Sequence, residues 1–215
     1  VPGFHALFTR GRPPGHQDVS ARCERLADPE ALVGSTSCET RPVPHVRAVV
    51  RRTSPPLLYL DQNYLSGIAK RKPAFRELEP VLREVVGRGA VAVVESVVHE
   101  RESRPRPDLG LLELLRELSR GRRLPAALDV PAAEARRRMA WTIEHELPLR
   151  RPRAGDAADL DALALAVCHC DLVTCDAFMA DVVRRARLDR RHPCELFTGR
   201  RTDVLRLRDR LAQYV

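Results

Sequence analysis

From residue 57 onward the chain alternates short apolar runs with longer stretches of helical periodicity, and few folds accept that alternation. Residues 57–60 and 90–94 have the length and composition of strands buried on both faces. Residues 172–174 and 195–197 read as two more. Between them the pattern predicts helices over 63–69 and 74–87, broken at Pro73, which lacks the amide that a helix interior needs. Ser96 is placed to cap a helix running to about Ser103. Leucines at 111, 112, 114, 115 and 118 give 109–120 a helical spacing. Further helices are expected over 132–147, 156–168, 177–188 with Asp176 as cap, and 202–214 with Thr202 as cap. The 156–168 segment is apolar on most of its surface and should be buried. Repeated strand–helix units imply parallel strands, because a crossover helix returns the chain to the same end of the sheet. The expected class is α/β, in three layers, with helices on both faces of a central parallel sheet.

Residues 1–55 have a different character. They are rich in Pro, Gly, Arg and Ser, as in Gly11-Arg12-Pro13-Pro14-Gly15, and show little apolar periodicity apart from a short helical pattern at 18–33. A flexible, poorly structured N-terminal extension is expected there, followed by one folded domain over 56–215. The 44% hydrophobic content is enough for a core, and with only 4% aromatic residues that core must be built of Leu, Val and Ala. Net charge is +8, and Lys70 and Lys72 are the only lysines, so the positive charge is carried by arginine. Guanidinium groups bind phosphate oxygens in pairs, which favours phosphate-bearing partners. No run nears the roughly 18 apolar residues of a membrane span, and the first residues lack a signal-peptide core. A cytoplasmic protein with its six cysteines reduced is the expectation. Cys168-His169-Cys170 with Cys175 lacks the usual spacing of a zinc site and reads as small residues at a helix–strand junction.

Acidic residues recur where apolar runs end or helices begin. Asp61 closes Leu57-Leu58-Tyr59-Leu60. Glu95 and Glu100 follow Val91-Ala92-Val93-Val94. Asp156, Asp159 and Asp161 open an Ala/Leu-rich helix, and Asp176 follows Leu172-Val173-Thr174-Cys175. In an open parallel sheet the carboxyl ends of the strands meet at one crevice, where ligands bind. Carboxylates gathered there repel one another unless cations lie among them. Mg²⁺ or Mn²⁺, with oxygen ligands, is the matching cation, and phosphodiester hydrolysis is the chemistry that such a site suits. The plain alternative for each acid is a helix cap worth about 1 kcal/mol.

The order Leu58-Tyr59-Leu60-Asp61-Gln62-Asn63, a Glu some forty positions later, an Asp on an Ala/Leu-rich helix, then Val173-Thr174-Cys175-Asp176 resembles the PIN-domain ribonucleases over residues 57 to 215. The resemblance implies a metal-dependent endoribonuclease using Mg²⁺ or Mn²⁺, often the toxin of a toxin–antitoxin pair. The partners it implies are RNA, a cognate antitoxin and a second copy of the chain. Carried over by motif, Asp61 and Asp176 are the direct metal ligands, and Glu100 and Asp159 complete the shell or align the water. Asn63 follows in the family's D-x-N, and Thr174 orients Asp176 or the water. Glu95 competes with Glu100 for the second position, and Asp161 with Asp159 for the third. Arg122-Arg123, Arg136-Arg137-Arg138, Arg184-Arg185 and Arg200-Arg201 are candidates to hold an RNA backbone, with few aromatics for base stacking. Two rivals stand beside this reading. One is a haloacid dehalogenase-like phosphatase, in which Asn63 would replace the second Asp. The other is a non-catalytic PIN domain that binds RNA or protein.

Overall fold

In the computed structural model the described residues are 54–103, 107–151 and 155–215. Almost all of the 1–55 extension, including the helical pattern at 18–33, lies outside them. Four short strands form the sheet: β1 (Leu57–Tyr59), β2 (Ala92–Val94), β3 (Leu172–Cys175) and β4 (Glu195–Thr198). Their order is β2-β1-β3-β4, with every neighbour pair parallel. The chain steps to one side of β1 to make β2 and to the other to make β3, so the topology reverses between β1 and β3. A parallel doubly wound sheet opens its ligand crevice at such a point.

Alternate strand residues face opposite layers. Leu58, Val93, Leu172 and Phe197 enter one core, and Tyr59, Val94, Val173 and Leu196 the other. The first core is covered by helices α1 (Gln62–Ala69), α2 (Pro73–Gly87), α4 (Leu111–Ser119) and α9 (Arg201–Ala212). The second is covered by α3 (Val97–Ser103), α5 (Val130–Glu146), α6 (Asp156–His169), α7 (Ala177–Arg185) and α8 (Leu188–Arg191). The sheet therefore lies between two helical layers, as the apolar alternation predicts. None of the described helices is long and apolar enough to cross a membrane.

Most element ends shift by one or two residues from the sequence reading, and three differences have a clear physical reason. Pro73 begins α2 at a position where a missing amide costs nothing. The helix expected over 177–188 is two, because Arg187 takes a left-handed φ of 55° between α7 and α8. Thr202 is no cap: α9 begins at Arg201, and Asp203 turns back to accept the Thr198 amide at 2.9 Å.

Candidate active site

Asp61 and Asp176 stand at the carboxyl ends of β1 and β3 because each apolar run stops there and a helix begins. Asp176 caps α7, its Oδ1 accepting the Met179 amide at 2.7 Å. Asp61 occupies the equivalent position before α1, but its side chain makes no capping bond. Its Oδ2 instead accepts from Asn63 Nδ2 at 2.9 Å. The Thr174 hydroxyl, fully buried, accepts the Asp61 amide at 2.7 Å and ties the two strand ends together. Thr174 thus holds Asp61 by its backbone. A second tie comes from α3. The buried His99 ring donates from Nε2 to the Leu60 carbonyl at 2.8 Å, while Nδ1 accepts the Ser96 amide at 3.0 Å. An amide can only donate, so Nδ1 is the bare nitrogen and the ring is neutral. Burial lowers the His99 pKa in the same sense.

Asp61, Asn63, Thr174, Asp176 and Met179 line a cleft of about 380 Å³ whose carboxylates are Asp61, Glu102, Asp159 and Asp176, with Gln62 also in its wall. Helix geometry selects among the competing acids. Val98 and Glu102 sit four apart on α3 and both line the cleft. Glu100, two residues from Glu102, lies about 200° further round the helix and faces Arg116 of α4 at 3.7 Å. Glu95 is buried against Arg123, outside the cleft. The structure therefore brings Glu102 to the site, and neither Glu100 nor Glu95. The same angular argument separates the aspartates of α6. Asp159 lines the cleft, whereas Asp161 pairs with Arg136 of α5 at 2.7 Å. Asp156 is chelated by Arg150.

Sequence order missed Glu102 and Gln62. Val98, one turn before Glu102 on the inward face of α3, was the available signal for the first. Gln62 donates to Ser103 Oγ at 3.2 Å, and its Oε1 is buried with no hydrogen-bond partner among the described residues.

Negative charge accumulates in this cleft. Burial pushes the Asp61 carboxyl up to about 6, against the lowering pull of the nearby Gln62 and Asn63 amides and of the Asn63 side-chain bond, and Asp176 pushes it further. Burial likewise raises Glu102, helped by its hydrogen bond to Asp159 and by the charges of Asp159 and Asp61. Asp159 is raised by burial too, while the neighbouring Glu102 and Arg150 pull it down. Burial and the Asp61 charge hold the Tyr59 phenol neutral. Among the described residues no three His, Cys, Asp or Glu side chains close tightly enough to grip an ion as they stand. The four carboxylates line one cleft without converging on a point. The donor chemistry still suits a hard cation: carboxylate and amide oxygens, one of the latter unpartnered. No protein-family model, curated protein or solved structure matches this chain.

Proposed function

We propose that the protein is a PIN-type endoribonuclease that hydrolyses RNA phosphodiester bonds with Mg²⁺ or Mn²⁺. The observation that carries this reading is the gathering of Asp61, Glu102, Asp159 and Asp176 at the β1–β3 switch point, where burial and mutual repulsion raise three of their carboxyls. Asp61 and Asp176 are the residues to hold the cation, with Glu102 and Asp159 completing the acidic wall. A bound divalent ion would polarise the scissile phosphate and acidify a water. Asn63 and Thr174 fix Asp61, one through its carboxylate and one through its amide. The α7 amide of Met179 fixes Asp176. Glu102 or Asp159, with carboxyls raised by burial, is the group to take a proton from the attacking water. The net charge of +8 supports a polyanionic substrate. A toxin's role with a cognate antitoxin rests on the family resemblance alone.

The test is cleavage of a mixed pool of structured RNAs by purified protein in Mn²⁺ or EDTA. Asp61→Asn, Glu102→Gln and Asp176→Asn should each abolish metal-dependent cleavage, while Glu100→Gln should keep it. Equal loss in Glu100→Gln and Glu102→Gln would contradict the placement of the second acid. No cleavage by folded wild type would move the reading to a binding module. Phosphate release from small monoesters through a phosphoaspartate would move it to a phosphatase.

A further inference from the structure

A second cavity, of about 610 Å³, opens beside the acidic cleft and shares Asp176 with it. Its other walls are Glu146 at the end of α5, the turn Leu147-Pro148-Leu149-Arg150, and Phe178 in the first turn of α7. The Arg150 amide donates to the Leu147 carbonyl at 3.0 Å and closes the turn. The Arg150 guanidinium lies over the Phe178 ring, 4.1 Å from its centroid. Two bonds to Asp156, one of 2.7 Å, hold that guanidinium in a fixed plane. Leu149 stands 97% exposed, an aliphatic side chain presented to solvent at the rim. The lining of this cavity thus joins aliphatic side chains to an arginine held on an aromatic ring.

We propose that this cavity receives the nucleobase adjoining the phosphate that is cut, so that the substrate RNA is unpaired at that position. The proposal rests on the ribonuclease reading of the neighbouring cleft. The occupant must be apolar on its faces, to suit Leu147, Pro148, Leu149 and Phe178. It must also continue into a group that belongs at the carboxylate cleft, because Asp176 is common to both spaces. A base joined to a phosphate has that order of chemistry. The volume lies in the range of small-molecule sites, and Arg guanidinium planes and aromatic rings are the surfaces on which unstacked bases settle. A paired base is covered on both faces and cannot enter without being extruded. Backbone recognition, which the scarcity of aromatics predicts, would then govern the rest of the path, with Phe178 the exception at one nucleotide.

The test uses the full chain and a single-stranded RNA carrying one abasic site, moved position by position. In Mn²⁺, one position beside the cut should lower kcat/KM about 5- to 100-fold, the range that one stacked base contributes. Phe178→Ala should cost intact RNA a similar factor and remove the difference between intact and abasic strands. Leu149→Asp, at a fully exposed position, should weaken intact RNA in the same direction without touching the core. In EDTA, fluorescence anisotropy reads binding alone and should show the same positional pattern. Abasic scans that match in wild type and Phe178→Ala would overturn the proposal. So would unchanged RNA affinity in both variants with wild-type melting, which would leave the cavity to a protein segment. Base-dependent binding without metal-dependent cleavage would sink the nuclease reading and keep the base site.

Discussion

Asp61 couples the charge of the site to the stability of the fold. Its carboxyl is raised from 3.8 to about 6, a shift of about two units, or about 3 kcal/mol as an upper figure, since part of the group still meets water. The unfolded chain loses this proton near pH 4 and the folded chain near pH 6. Between those values the unfolded state binds fewer protons, so stability falls as pH rises through the window and is flat above it. Asp61→Asn removes the titration and keeps an oxygen to accept from Asn63. The assay is urea unfolding in EDTA at intervals from pH 4 to 7.5, followed by circular dichroism. Carboxylates away from the cleft cancel between the two proteins, and Glu102, which the Asp61 charge also raises, adds to the difference in the same sense. Wild type minus variant should become less favourable by up to about 3 kcal/mol across the window. Mn²⁺ at 100 times its dissociation constant should then return about 2.7 kcal/mol to wild type above pH 6, and far less to the variant. A difference that is constant with pH would refute the claim that burial of Asp61 stores electrostatic strain.

Three further outcomes follow from particular contacts. A Cβ on Gly67 would lie 2.6 Å from the Phe75 ring, which is itself packed edge-on against Tyr64; Gly67→Ala should cost about 1–3 kcal/mol, and Phe75→Leu in the same chain should recover part of it in thermal melts. Asp176→Ala should lose the α7 cap, about 1 kcal/mol, whereas Asp176→Asn should keep most of that stability and lose cleavage, so the pair separates capping from chemistry by melting and activity together. Arg187→Gly should leave stability unchanged or raise it by up to about 1 kcal/mol in urea titrations, because the left-handed φ of 55° is strained for arginine and free for glycine.

Strand positions were legible because each strand is a short apolar run that no amphipathic helix would produce. The layers followed, since Leu58 and Tyr59 must face opposite ways. The break at Arg187 was not legible: no Gly or Pro marks it, and an arginine with a left-handed φ leaves no signal in the pattern, though the fully buried Leu188 follows it directly. Asp61 and Asp176 could be placed because a strand end fixes where the next residue points. The helix-borne acids could not be placed by order alone, because two residues of displacement turn a side chain to another face. Glu102 displaced Glu100 on that ground, and Val98 was the sign that counting toward a motif passed over. The Phe178 shelf was beyond the sequence altogether, since it exists only where the 147–150 turn meets α7.

The bond from the Asp61 amide to Thr174 spans 113 residues of chain, and this sets a timetable for synthesis. At roughly 5–20 residues per second, a ribosome delivers β3 about 6 to 23 seconds after β1, and until then the half-site carrying Asp61 and Glu102 has no opposite wall. The last strand and α9, which seals the layer over α2, come later still. A partly made chain is therefore without the Asp176 half of the cleft, and an enzyme that cuts RNA would be inert while its own message was still being read.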